Sequence, residues 1–258
     1  MGVSDYVIFI IQTLGAVSFA LSGSLTAMSK RMDPFGVIVI AITTTFGGGL
    51  MRDIIIGCIP PAFFADWDCR VWTLVCALVA ILVVCSASVK SVARRIVHIQ
   101  SGQFLNVVDA MGLSVFCVFG VDSAMNQLSI APALTIAYKD VFLLTFMGFI
   151  TGVGGGILRD LFTGEIPMIF KKHIYALPTI VGSLAYVYLL ALIPHLFAML
   201  IVIVGITVVR ILAAKFHWDL PIVYARIEEI EKEEEAYRRK KEWSHREAEL
   251  INRSKKGK

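Results

Sequence analysis

A stretch of 15 residues occurs twice in this chain, and both copies lie inside long apolar segments. The first copy reads FGGGLMRDIIIGCIP over residues 46–60, and the second reads VGGGILRDLFTGEIP over residues 153–167. Three glycines, an Arg-Asp pair, a fourth glycine and a proline recur at identical spacing. Glycine weakens a helix and ionisable residues are costly within a membrane, so a duplicated pattern of both predicts a functional site.

The composition is that of a membrane protein. Of the 258 residues, 57% are hydrophobic, whereas soluble domains are roughly 45–50% apolar; the mean hydropathy is +0.76. A helix of roughly 20 residues crosses the hydrocarbon of a bilayer, and seven apolar segments reach that length. They cover residues 5–29, 35–59, 70–89, 105–125, 141–162, 174–193 and 195–214. The predicted fold class is an all-α integral membrane protein with seven transmembrane helices.

The duplication extends to helices one and four. GAVSFALSG over residues 15–23 aligns with GLSVFCVFG over residues 112–120. The repeating unit is therefore three helices, and because three is odd the second copy enters the membrane from the opposite side. We predict two inverted three-helix repeats at residues 4–97 and 104–193, a seventh helix at 195–218 and a charged cytoplasmic tail at 219–258.

Basic residues predict the orientation in the bilayer. They follow helices one, three, five and seven, whereas the alternate loops are mainly acidic. The positive-inside rule then places the N-terminus outside and the C-terminus in the cytoplasm of a cell (inner) membrane. The tail is either a solvated helix without a site or a contact with anionic lipid through residues 238–241. A net charge of +4 is no indication of a nucleic-acid partner.

The glycine triplets, Gly47, Gly48, Gly49 and Gly154, Gly155, Gly156, predict a break or kink in helices two and five beside an aqueous path. Small residues also allow close helix packing, but packing alone does not require Arg-Asp three residues later. At 1.5 Å per residue, Arg52 lies roughly 25 Å into the membrane, towards the outer face. The inverted repeat puts Arg159 towards the cytoplasmic face, so one arginine lies near each mouth of a through-path.

The Arg-Asp pairs, Arg52-Asp53 and Arg159-Asp160, need partners inside the membrane. Adjacent residues on a helix diverge by about 100°, so we expect neither pair to bind internally. Asp109 is the candidate partner of Arg159, and Asp122 is the weaker candidate for Arg52. These charges either lock helices together or act in the permeation path and its gate, and the two roles are compatible.

Other polar residues have local interpretations. Thr43, Thr44, Thr45 and Thr151 are candidates for interhelical hydrogen bonds or for pore lining. His98, His195 and His217 stand at loop ends, as interfacial residues do. We find no nucleotide-binding loop, catalytic constellation or metal spacing, and we expect neither an enzyme nor a cofactor or metal, only a permeant potassium or sodium ion and at most a bound lipid.

At the duplicated Gly-Gly-Gly-x-x-Arg-Asp motif the sequence resembles the TRIC (trimeric intracellular cation) channel family in its prokaryotic form. The similarity covers about residues 4–221. It implies a homotrimer in which each protomer has its own pore, bounded by helices two and five and kinked at the six glycines. It also implies conduction of monovalent cations, potassium foremost, and assigns pore or gating charges to the two Arg-Asp pairs and Asp109.

The sequence departs from the animal members of that family. Their fourth helix carries a basic phosphoinositide-binding signature, and residues 109–125 here contain no basic residue. Lipid gating and residence in the reticulum are therefore not implied. Bacterial relatives are also described as glycine transporters. Two functions stay open: a passive potassium-permeable channel, and a secondary transporter of a small zwitterion such as glycine, because an inverted repeat fits either.

Overall fold

The structure, a computed structural model, describes residues 3–65, 67–87, 103–130, 140–171 and 175–216. The regular elements of these segments are α-helices: α1 (Val3–Ser29), α2 (Pro34–Ile56), α3 (Ala62–Ala65), α4 (Trp67–Ala87), α5 (Gln103–Ile130), α6 (Val141–Phe162), α7 (Met168–Lys171), α8 (Leu177–Leu189) and α9 (His195–Phe216). The predicted tail at 219–258, with its lipid contact, and the basic loop at 90–98 lie outside the described residues.

Six of the described helices are long and apolar enough to cross a membrane: α1, α2, α4, α5, α6 and α9. The predicted sixth span, at 174–193, instead contains α8, a helix of 13 residues. Its length is about 20 Å, which is less than the thickness of the hydrocarbon core. The count of seven complete spans is therefore not confirmed, and the chain is a multi-pass helical membrane protein.

The fourth glycine of each motif copy ends its helix. Gly57 follows α2 with φ 79°, and Gly164 follows α6 with φ 71°. This left-handed backbone favours glycine because a side chain would be strained there. The next amide then turns back onto the helix, with Cys58 N donating to Asp53 O and Glu165 N donating to Asp160 O, both over 2.8 Å. The second half of the motif therefore forms the C-terminal cap of both helices.

The apolar core consists of two clusters. One lies among α1, α2 and α4 and includes Ala16, Val37 and Cys76. The other joins α5, α6, α8 and α9 around side chains such as Leu113, Met147, Tyr186 and Met199. Phe19 of α1 stacks on Phe116 of α5, with ring centroids 5.3 Å apart. These two aromatic residues occupy the same position in the two sequence repeats, and their stacking connects the clusters.

Candidate functional site

Helices α2 and α6 cross in direct backbone contact at their glycine triplets. A Cβ atom added at Gly48 would lie 2.0 Å from Thr151 O, and one added at Gly155 would lie 1.9 Å from Thr44 O. No side chain fits at such distances, so only glycine permits this crossing. Both helices run unbroken through their triplets. The predicted break is therefore wrong, and a kink within a continuous helix stays a prediction.

Equivalent residues of the two sequence repeats make equivalent contacts at the crossing. Thr44 Oγ1 donates to Ile40 O and Thr151 Oγ1 donates to Met147 O, each over 2.6 Å. A Cβ at Gly23 of α1 would meet Thr44 Oγ1 at 2.6 Å, and one at Gly120 of α5 would meet Thr151 Oγ1 at the same distance. Each threonine is thus enclosed by the equivalent glycine of its own repeat.

The remaining triplet glycines differ in how tightly they are enclosed. A Cβ at Gly47 would lie 2.6 Å from Leu158 Cδ1, and one at Gly154 would lie 2.9 Å from Gly48 Cα. At Gly156 the nearest atom would be Tyr175 Oη at 2.9 Å, whereas at Gly49 it would be Arg52 Nη2 at 3.9 Å. Gly49 is therefore the member of the two triplets with room for a methyl group.

Each arginine of the duplicated motif binds the aspartate that follows it. Arg52 Nε and Nη2 lie 2.9 and 2.7 Å from Asp53 Oδ1, and Arg159 Nε lies 2.8 Å from Asp160 Oδ1. The prediction that neighbouring residues do not pair is wrong. The 100° divergence holds for the Cβ directions, but the long, flexible arginine side chain curls back to reach the next carboxylate.

The second oxygen of each aspartate holds the segment that follows the helix. Asp53 Oδ2 accepts a hydrogen bond from Ala62 N, and Asp160 Oδ2 accepts one from Met168 N, both over 2.8 Å. Ala62 and Met168 are the first residues of the short helices α3 and α7, whose amides lack partners within those helices. The Arg-Asp pair therefore fixes both the end of one helix and the start of the next.

Asp109 of α5 is the centre of a buried charge network at the C-terminal end of α6. Arg159 Nη1 donates to Asp109 Oδ1 over 2.7 Å, and both side chains have zero exposure. The predicted pairing of these two residues is confirmed. Arg159 Nη1 also donates to Ser22 Oγ of α1 over 2.5 Å, so three of the spanning helices meet at one guanidinium.

The other oxygen of Asp109 binds two further residues. Tyr175 Oη donates to Asp109 Oδ2 over 2.9 Å, and Arg210 Nη2 of α9 donates to it over 3.1 Å. The Arg210 guanidinium also lies over the Tyr175 ring, 4.0 Å from its centroid. Arg210 lies near the end of the seventh predicted span, where basic residues indicate the cytoplasmic side, and the structure buries it with its charge directed at Asp109.

We use "buried charge network" for Ser22, Asp109, Arg159, Asp160, Tyr175 and Arg210. Its two guanidiniums face two carboxylates, so its formal charges balance. Single buried ions cost several kcal/mol, and balanced, hydrogen-bonded groups offset that cost for each other. Among the described residues, the network therefore fills this end of the helix bundle with buried, tightly coupled charges.

A cavity of about 620 Å³ occupies the opposite end of the bundle. We call it the vestibule. Its walls come from all six spanning-length helices, together with α3 and Leu190, which follows α8, and it reaches the α2–α6 crossing. The lining residues are Ile8, Gln12, Thr45, Phe46, Gly49, Leu50, Arg52, Asp53, Ala62, Phe63, Cys69, Trp72, Phe116, Phe119, Asp122, Ser123, Met125, Asn126, Thr151, Leu190 and His195.

Asp122 and His195 are in direct contact in the vestibule wall. His195 Nε2 lies 3.0 Å from Asp122 Oδ2, and the side chains are 48% and 14% exposed, respectively. The buried Tyr186 donates to Asp122 Oδ1 over 2.8 Å. Among the described residues, Asp122 therefore pairs with His195 and not with Arg52, its predicted partner. His195 is likewise part of the cavity wall and not merely an interfacial residue.

The vestibule and the buried charge network lie at opposite ends of the same helices. Asp109 and Asp122 are both on α5, about 20 Å apart at 1.5 Å per residue. His195 and Arg210 are separated along α9 by a similar distance. Thr45 and Thr151 line the vestibule, whereas Thr43 and Thr44 are not in its wall. The cavity lining described above includes no member of the network.

The comparisons with known proteins agree with this architecture. Six apolar helices of spanning length among the described residues define a multi-pass helical membrane protein. The chain belongs to the glycine transporter family, whose model matches residues 9–88 and 106–191. It is 34% identical to the UPF0126 membrane protein of Vibrio cholerae, over 83% of this chain and 82% of the relative. It is also 34% identical to the inner membrane protein YadS of Escherichia coli K12, over 83% of this chain and 95% of the relative.

Solved structures share the fold. The TRIC trimeric intracellular cation channel orthologue from Rhodobacter sphaeroides superimposes with a TM-score of 0.68 at 28% identity, over 82% of this chain and 98% of that one. A second structure, described in a study of conductance through TRIC cation channels, gives a TM-score of 0.66 at 28% identity, over 83% of this chain and 95% of that one. The resemblance to prokaryotic TRIC channels is thereby confirmed.

Proposed function

We propose that the chain is a passive, potassium-permeable cation channel with one conduction path in each protomer, between two inverted repeats. The observation that carries this proposal is the vestibule, a cavity with both apolar and charged lining residues that extends to the α2–α6 crossing. Likeness at 28% identity to structures described as cation channels supports the same function. The likeness to the orthologue described as trimeric supports a homotrimer.

In this proposal the structure is a closed state of the path. The backbones of α2 and α6 touch at Thr151, at the inner end of the vestibule. Arg159 lies two helical turns further along α6, about 12 Å from Thr151. A cation that met an unpaired guanidinium at 4 Å would be repelled by about 4 kcal/mol at an effective dielectric of 20. We assign the gate to the crossing together with the buried charge network. Conduction then requires α2 and α6 to separate and Arg159 to move with its carboxylates.

The positive-inside rule sets the direction of the path. Lys30 and Arg31 follow α1 at the network end, and the rule places basic loops in the cytoplasm. Lys30 pairs with Glu165 at this end and connects the loops that follow α1 and α6. The vestibule accordingly opens to the outside and the gate faces the cytoplasm.

The second candidate is a secondary carrier of a small zwitterion such as glycine. A cavity closed at one end is what an alternating-access carrier shows in one of its states, and the description of the family model names glycine. Arg52 and Asp122 would then bind the carboxylate and ammonium groups of the substrate. This candidate differs from the channel in a measurable way, because a carrier saturates with its substrate and exchanges it.

Two flux measurements on purified protein in liposomes test the proposal. Potassium efflux from the liposomes drives protons inward through an added protonophore, and the quench of a pH-sensitive dye reports that influx. This efflux should depend on the protein and not on glycine. Counterflow of labelled glycine should match empty liposomes. Glycine counterflow that saturates, with no potassium efflux, would overturn the channel and support the carrier.

A further inference from the structure

The vestibule contains an uneven set of charges. Arg52 and Asp53 neutralise each other through two hydrogen bonds to one oxygen. Asp122 is the further carboxylate in the wall, and its described charged partner is His195. Among the described residues that line the vestibule, the formal charges therefore sum to minus one with a neutral imidazole and to zero with an imidazolium.

The net charge around His195 depends on the titratable side chains that line the vestibule. Within the part of the chain that the structure describes, the titratable side chains that line the cavity are Arg52 and Asp53 of α2, Cys69 of α4, Asp122 of α5 and His195 of α9. Tyr186 of α8 lies behind the pair, with its Oη 3.2 Å from His195 Nε2. From α1 and α6 the wall receives the uncharged Gln12 and Thr151.

We infer that Asp122 determines the preference of the vestibule for cations, and that protonation of His195 cancels it. This inference rests on the proposed function. Histidine is the side chain whose charge changes between pH 5 and 8, and the His195 side chain is 48% exposed at the cavity wall with its Nε2 3.0 Å from Asp122 Oδ2. An excess negative charge in a low-dielectric cavity concentrates cations, so alkaline pH favours cation entry and acidic pH removes the attraction.

The test compares pH profiles of potassium flux and of reversal potential in a potassium chloride gradient. In the wild type, potassium flux should fall roughly threefold to tenfold from pH 8 to pH 6, and the reversal potential should move towards zero. H195Q should keep the high flux and the cation-selective potential at both pH values. H195K should show the low values at both, because its charge is fixed.

Two variants at the same contact separate charge from structure. D122N should have low flux and weak cation selectivity at both pH values. Y186F loses its hydrogen bond to Asp122 but leaves both charged groups in place, so its potassium flux should still fall on acidification. A wild type whose flux and reversal potential are independent of pH, or an H195Q profile that still falls on acidification, would overturn the inference while leaving the channel intact. Absence of potassium flux from the wild type at every pH would instead refute the proposed function.

Discussion

Arg159 Nη1 lies 2.7 Å from Asp109 Oδ1, on a different helix, and neither side chain has any exposure. The same guanidinium binds Asp160 through Nε. The counterpart of Arg159 in the first repeat, Arg52, binds Asp53 in the same way but faces the vestibule. The two copies of the motif therefore place their arginines in different surroundings. Arg52 lines the vestibule, and Arg159 lies in the buried charge network.

Substitution of Asp109 by Asn tests the coupling within the network. Arg210 would then lose its described carboxylate partner and Arg159 would keep only Asp160, and removal of one partner from a buried pair destabilises a protein by about 3–5 kcal/mol. We expect a large loss of thermal stability for the protein in detergent. The control is Lys30→Gln, which breaks an ion pair whose side chains are 36% and 37% exposed and should cost at most about 1 kcal/mol. Equal stability of the two variants would contradict the assigned network.

Gly48→Ala and Gly155→Ala should both lower stability, because the new methyl groups would collide with Thr151 O and Thr44 O. Overpacking of this kind costs about 1–3 kcal/mol. Gly49→Ala is the matched control in the same triplet. Its nearest neighbour is the flexible Arg52 side chain at 3.9 Å, and alanine favours a helix by up to about 1 kcal/mol over glycine. The account therefore predicts opposite signs for residues 48 and 49 in thermal melts, and a loss of stability at residue 49 as large as that at residue 48 would refute it.

Tyr175→Phe should loosen the gate without dismantling it. The variant loses the hydrogen bond to Asp109 Oδ2 but keeps the ring beneath the Arg210 guanidinium. The loss of one hydrogen bond costs about 1 kcal/mol. If the network holds the path closed, potassium efflux from liposomes should rise. Unchanged or reduced efflux from a folded variant would show that the network has no part in gating.

The vestibule predicts a difference in thiol reactivity. Ser123 lines the cavity, whereas Cys117 on the same helix has zero exposure. A water-soluble thiol reagent added to the outside of cells should modify Ser123→Cys and leave Cys117 unmodified, as read by mass spectrometry of the labelled peptides. Modification of the engineered thiol from the cytoplasmic side alone would reverse the proposed orientation.

The sequence predicts the spanning helices and the Asp109–Arg159 pair because both follow from regular geometry. Apolar length marks a span, and the inverted-repeat argument brings Arg159 to the end of the membrane where helix four begins. Pairing of Arg52 with Asp53 was excluded by backbone angle alone, and that angle ignores the reach of a long side chain. The glycines were interpreted as a break because their spacing says nothing about the partner helix that contacts them.

Other site residues leave no local signal in the sequence. His195 and Asp122 are 73 positions apart, and Arg210 and Asp109 are 101 apart. Such contacts depend on how α9 packs against α5, which hydropathy does not encode. Arg210 also matches the positive-inside pattern, so its position near the end of the last helix pointed to a loop charge. Only its burial in the folded chain reveals a structural ion pair.

The most direct test of the central claim is electrical recording from purified protein in planar bilayers. A passive cation channel should give discrete unitary currents. In a potassium chloride gradient, their reversal potential should have the same sign as the potassium equilibrium potential. Gly48→Leu, which cannot keep the α2–α6 crossing, should abolish or alter these events, whereas Gly49→Ala should preserve them. Wild-type protein that transports glycine in liposomes yet shows no unitary current in any membrane would contradict the channel.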